Sequence, residues 1–163
     1  MIRKDCAGRV CLILAVCLLL SISLPGCSSP PVGTVVEHKD LILVLPGDFI
    51  ELSGTVGTDF LYGRHSLVLK GLSEKKSMLK AMSLAEYTDY VIKTNKKNTM
   101  PQACGAGYMF TYEAPVGEDI YAYTVATYEG QENFWILQFY CPKDTLSENQ
   151  PEIDIILSGI HPK

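Results

Sequence analysis

The sequence predicts an α+β fold in which a central antiparallel sheet, including a three-strand C-terminal meander, is sandwiched by helices. Three observations lead there. Tyr108 to Glu113, Asp119 to Tyr128 and Asn133 to Cys141 are strand-length runs rich in aromatic and β-branched residues, and the loops between them are short enough for antiparallel hairpins. Ser83 opens an amphipathic helix with a capping signature. A second helical stripe, Ile153, Ile156, Leu157 and Ile160, lies near the end of the chain.

Taken in order, residues 1 to 26 carry the three parts of a secretory signal. Arg3, Lys4 and Arg9 make a basic start, Val10 to Leu24 an apolar stretch, and small residues stand at the exit. The stretch is shorter than the ~20 residues that cross a bilayer. Leu24-Pro25-Gly26-Cys27 resembles the bacterial lipobox, in which cleavage falls between Gly26 and Cys27 after the cysteine thiol has received a diacylglyceryl group. Pro25 departs from the usual small or β-branched residue at its position. Each buried methylene contributes ~0.8 kcal/mol, so two or three acyl chains, palmitate among them, make release from a membrane negligible. The lipid on Cys27 is the only covalent group expected, with no other cofactor and no metal. The expected place is the extracytoplasmic face of the cell membrane, or an outer membrane where the cell has one.

Residues 27 to 163 are one domain's worth of chain. Loss of the signal removes three basic groups and one acidic group, so the remainder is more acidic than the −4 of the whole chain. Such a body repels nucleic acid and anionic headgroups, which argues against a polyanion-binding role, so no nucleic-acid partner is expected. Ser28 to Gly33 is proline-containing and poor in burial potential, so residues 27–36 are expected as the lipidated cysteine with a flexible tether and residues 37–163 as a single globular domain.

Leu41 to Leu45 is apolar at every position and is expected as a strand covered on both faces, ended by the turn Pro46-Gly47-Asp48. Phe60-Leu61-Tyr62 and Ser66 to Leu72 read as one or two strands around Gly63-Arg64-His65, with His65 a solvated turn residue. Ser83-Leu84-Ala85-Glu86 is a capping box, and Met82 with Tyr87 a hydrophobic staple. Leu84, Tyr87 and Val91, with Tyr90 at the margin, form the buried stripe of that helix, and Pro101 forbids its continuation. The last helix is expected to start at Asn149-Gln150-Pro151-Glu152, with Asn149 as its cap.

Period-two alternation assigns the faces of the meander. Phe110, Tyr112, Tyr121, Tyr123, Val125, Phe134, Ile136 and Tyr140 share one face. Met109, Ile120, Ala122, Ala126, Trp135, Leu137 and Phe139 take the other. Both are apolar, so the sheet should lie between layers. The same register puts Cys104 and Cys141 at opposite ends, on the order of 30 Å apart at ~3.4 Å per residue. A disulfide needs Cα atoms within ~7 Å, so two free thiols are expected.

Leu45-Pro46-Gly47-Asp48-Phe49, the Ser-Leu-x-Glu-Tyr start at 83 to 87, Phe134 to Phe139, and the ending Ile155 to Ile160 after the Pro142 loop together resemble the PsbP-like (Mog1/PsbP/DcrB) superfamily across most of residues 40 to 160. The resemblance implies an antiparallel sheet with helices on both sides, in a group that is mostly non-catalytic, assisting membrane complexes or binding protein partners. It has no shared catalytic motif, so it assigns no catalytic residue.

Three functions compete on the residues. The first is a lipid-anchored, non-catalytic binding or assembly module, attached to the membrane by its anchor and engaging a protein partner. The second is a carrier of a small apolar ligand on the tyrosine-rich face of Tyr112, Tyr121, Tyr123 and Tyr140, which requires a pocket of ~300 Å³ or more with hydroxyls converging on it. The third, a small envelope enzyme, has poor candidates: Gly105-Ala106-Gly107 lacks the helix and lysine of an anion loop, Cys104 lacks a neighbouring histidine in sequence, and Glu118-Asp119 lacks the ligand count of a cation site. The chain is expected not to be an enzyme.

Overall fold

In the computed structural model, which describes residues 33–54 and 56–163, the aromatic meander forms the middle of a seven-stranded antiparallel sheet. The strands are β1 (Gly33–His38), β2 (Leu41–Pro46), β3 (Ile50–Glu51), β4 (Phe60–Arg64), β5 (Leu67–Lys75), β6 (Gln102–Cys104), β7 (Gly107–Val116), β8 (Asp119–Glu129), β9 (Asn133–Pro142) and β10 (His161–Pro162). The helices are α1 (Leu84–Thr94) and α2 (Leu146–Ser158). The large sheet runs β3-β4-β5-β9-β8-β7-β6, and a small sheet runs β1-β2-β10. β1 takes in residues 33–36, the last part of the stretch expected as tether. The signal and the Gly26-Cys27 junction lie outside the described residues.

The hairpins of the meander close symmetrically, so the expected faces hold. Tyr112 pairs with Tyr123 and Tyr123 with Tyr140, while Ala126 pairs with Leu137 on the other face. The first loop is tighter than expected: Val116 pairs with Asp119, leaving Gly117-Glu118 as a two-residue turn with Gly117 at φ +66. Gly105-Ala106 is likewise the turn of the β6–β7 hairpin, which is its role in place of an anion loop. β5 pairs along β9 and brings Val68 and Lys70 beside Tyr140 and Gln138.

The two faces of this sheet are covered unequally. On the inner face, Trp135, Leu137, Phe139 and Cys141 meet Leu41, Leu43 and Leu45 from β2 and Ile153 and Ile156 from α2, all at 2 % exposure or less. Burial of each such side chain contributes ~1.5–3 kcal/mol. Among the described residues the outer face receives one helix, α1, over Phe110, Val125 and Phe134, with Leu79 and Met82 packed beside it. Tyr87 stacks on Phe134 at 4.4 Å, and Thr88 shares a hydrogen bond with Thr127 at 2.7 Å. The expected capping box is present: the Ser83 hydroxyl accepts from the Glu86 N–H at 3.3 Å, and the Glu86 carboxylate accepts from the Ser83 N–H at 2.7 Å.

Three expectations require correction. β2 is not sealed on both faces: Ile42 and Val44 are half-buried, because β2 is the middle of its own sheet and only one side meets the core. Tyr90 is 46 % exposed, and Ile92 takes its place among the buried residues of α1. α2 begins at Leu146, a turn before Asn149. Asn149 is buried, donating to the Thr145 carbonyl and the Ser66 hydroxyl, so a tertiary contact has taken the side chain that would otherwise cap, and Pro151 lies inside the helix.

One buried acid ties the two sheets. The Asp40 carboxylate accepts from the Trp135 indole N–H at 2.7 Å, from the N–H groups of Glu132 and Asn133 at 2.8 and 3.0 Å, and from Asn133 Nδ2 at 3.0 Å. Burial pushes its pKa up, but these donors outweigh it and hold the carboxyl at about 2. A Cβ at position 130 would sit 2.5 Å from Asp40 Oδ2, so the loop admits only glycine there at this approach.

Candidate functional site

Residues directly opposite on neighbouring antiparallel strands place their Cβ atoms ~4.5–5.5 Å apart, so three aromatic residues in register become a ladder. Tyr112, Tyr123 and Tyr140 do this across β7, β8 and β9. The first two rings stack at 4.7 Å between centroids and 7° between planes, the second pair at 5.6 Å and 26°. Tyr121 lies on the same face, one pleat closer to the Gly117 turn. The structure thus brings all four sequence-predicted tyrosines together, each half-buried, with Tyr112 at the margin of the cluster that α1 covers and the other three outside it.

Burial raises the pKa of Tyr112, Tyr123 and Tyr140, with neighbouring tyrosines adding to the effect and the hydrogen bond from Gln138 easing it at Tyr112. The hydroxyls therefore stay protonated near neutrality. They are neutral donors on a flat aromatic shelf, suited to contact and not to nucleophilic attack.

At the α1 end of the shelf the sheet and helix enclose a cavity of ≈ 290 Å³. Leu72, Val91, Phe110, Val125 and Ile136 form its apolar floor; Lys70, Asn95, Lys97, Tyr112 and Gln138 form its polar rim. Gln138 Nε2 donates to the Tyr112 hydroxyl at 2.8 Å, and Lys97 Nζ stands 3.8 Å from the centre of the Tyr112 ring, a cation–π contact. Tyr112 alone of the four tyrosines lines this cavity, so the hydroxyls do not converge as the carrier of an apolar ligand requires. The rim is not among the residues that the sequence patterns single out, although the sequence carries a signal of it. Lys70 and Gln138 are the polar interruptions of two otherwise apolar strand segments, and β5–β9 pairing sets them opposite each other.

The remaining chemical candidates are dispersed. Among the described residues, no three of His, Cys, Asp and Glu stand together as a metal site. His65 is an exposed turn residue at φ 49. His38 shares a hydrogen bond with the Tyr62 hydroxyl at 3.0 Å and stacks on Phe60. Cys104 and Cys141 are free, as the register requires, and Cys141 is fully buried.

No family model matches the sequence, and no curated protein matches it either. Solved structures do. The solution structure of cyanobacterial PsbP (CyanoP) from Synechocystis sp. PCC 6803 superposes with a TM-score of 0.53 at 10% identity, over 87% of this chain and 99% of that one. The fold is PsbP-like. Two further structures share it. A protein of Bacteroides thetaiotaomicron gives a TM-score of 0.59 at 12% identity over 80% of this chain, which spans about half, 47%, of that longer protein. LpqN of Mycobacterium tuberculosis, described as involved in cell envelope biogenesis, gives 0.51 at 12% identity over 78% of this chain and 88% of its own. At such identities the PsbP-like likeness concerns the fold alone. Among the described residues no helix is long and apolar enough to cross a membrane.

Proposed function

We propose that this chain is a lipid-anchored, non-catalytic binding or assembly module on the extracytoplasmic face of a cell membrane, where its tyrosine shelf docks an apolar segment of a protein partner. The observation that carries the reading is the unequal covering of one sheet: its inner face is sealed by α2 and a second sheet, while Tyr121, Tyr123 and Tyr140 stand half-buried outside the cluster that α1 covers, with Tyr112 at its margin. Rigid aromatic side chains left at a surface are the usual anchors of contact. The signal pattern of residues 1 to 26 and the lipobox resemblance at Cys27 support the location. A structural neighbour described as involved in cell envelope biogenesis is in keeping with it.

Two measurements test the reading. A photo-crosslinking residue at position 121 in the native host should trap one discrete protein species, lost in Tyr123→Leu/Tyr140→Leu, whereas the same residue at exposed position 34 should trap none. Equal yield at both positions would refute the docking face. Mass spectrometry should find an N-terminal acylated Cys27, and Cys27→Ser should release the protein from membranes; an unmodified N-terminus beginning at Met1 would refute the anchor.

A further inference from the structure

The cavity beside the shelf has a charge pattern that contact with a protein surface does not explain. No acidic residue lines it, although the chain carries 18 of them against 14 lysines and arginines. Its two cations are also unlike the others. Lys39, Arg64, Lys76, Lys143 and Lys163 each pair with a carboxylate. Lys75, Lys80, Lys93 and Lys96 lack one and are exposed to water. Only Lys70 and Lys97, among the described residues, are half-buried without an anionic partner, and both line the cavity. Two like charges at the rim of one cavity, with no carboxylate between them, repel each other unless an anion completes the arrangement.

The other rim groups agree. The Tyr112 hydroxyl accepts from Gln138, which leaves its own proton free to donate into the cavity. Of the C-terminal carbonyls of α1, which would repel an anion, three are already engaged: that of Val91 accepts from the Asn95 N–H and Nδ2, that of Ile92 from the Lys97 N–H and that of Lys93 from the Lys96 N–H. Beneath this donor-rich rim the floor is hydrocarbon and one phenyl ring. We infer that the cavity binds a small amphipathic anion, an acyl or aryl carboxylate, with its charge toward Lys70 and Lys97, its oxygen accepting from Tyr112, and its apolar part on Leu72, Phe110 and Ile136. At ~30 Å³ per water-sized group, the volume admits about ten heavy atoms.

The test uses the full chain in phosphatidylcholine nanodiscs, with empty discs subtracted, titrated calorimetrically with 4-phenylbutyrate, 4-phenylbutanol and 4-phenylbutylamine. The acid should bind saturably at one site, about tenfold or more tighter than the alcohol, and the amine should not bind. Lys70→Met and Lys97→Met should each weaken the acid about tenfold and leave the alcohol unchanged, while Lys97→Arg should keep binding within about twofold. Equal affinity for the three compounds, no saturable binding of the acid, or the same losses in Lys97→Arg as in Lys97→Met would overturn the inference. Displacement of the acid by inorganic phosphate at equal concentration would assign the cations to a free anion and overturn the amphipathic class. Tyr140→Leu, outside the cavity, should leave acid binding intact while weakening the crosslink at position 121, so the two proposals fail separately.

Discussion

The inner and outer faces of the large sheet are built from the same strands, one residue out of phase, and both are apolar. They differ in what lies against them. The inner face meets a helix and a second sheet, and its residues are close to fully buried. The outer face meets one helix of 11 residues. Such a helix is about 16 Å long and about 10 Å across, whereas seven strands at ~4.8 Å spacing span about 30 Å. One helix cannot cover that width, and the remainder is where Tyr121, Tyr123 and Tyr140 stand, with Tyr112 at the boundary. Apolar content alone therefore does not make a face into core; the number of covering elements does.

The largest expected effect lies on the sealed side. Leu137→Ala should lower the unfolding free energy by about 2–5 kcal/mol in denaturant titration, because the surrounding core cannot collapse into the space. If the loss is below about 1 kcal/mol, the inner face is not the packed one.

The Asp40 tie comes next and depends on pH. Its folded pKa of about 2 lies below the ordinary 3.8, so its stabilisation is present above pH 4 and lost as pH falls through 2. The shift corresponds to about 2 kcal/mol. Unfolding measured from pH 5 to pH 2 should show that loss, and Asp40→Asn, which sets amide N–H groups against donors, should reduce the dependence by Asp40's share, leaving that of Asp59 and Glu86, while lowering stability at neutral pH.

On the outer face the effects shrink. Ser83→Ala removes the cap of α1 and should cost about 1 kcal/mol, read most directly as faster amide exchange over residues 86 to 94 with little change in β9. Tyr123→Leu should be the mildest, about 0.5–1 kcal/mol for the lost ring stacking, although it removes the centre of the shelf. A large stability loss at Tyr123 would mean that the ladder is core and not a surface.

Much of this was legible in the sequence, for identifiable reasons. Short symmetric loops transmit register, so Tyr112, Tyr123 and Tyr140 could be placed on one face and Cys104 kept apart from Cys141. The Ser83 cap is local chemistry and formed as read. What failed was long-range. Asn149 carries a valid capping side chain, but Ser66, far along the chain, receives its hydrogen bond. β6 is three residues long and too short for a periodic signal. Lys70 and Gln138 acquire meaning only when β5 lies along β9, a pairing between segments some 70 positions apart that no local pattern announces.

The aromatic residues also divide the molecule optically. The single tryptophan, Trp135, sits in the dry interior between the sheets, while the stacked phenols Tyr112, Tyr123 and Tyr140 lie on the opposite side. Indole emission excited at the red edge therefore reports on one surface of the sheet, and the change in near-ultraviolet dichroism on Tyr123→Leu, which leaves the inner Tyr62 and Tyr128 in place, on the other. Each side carries its own spectroscopic gauge, with no label attached.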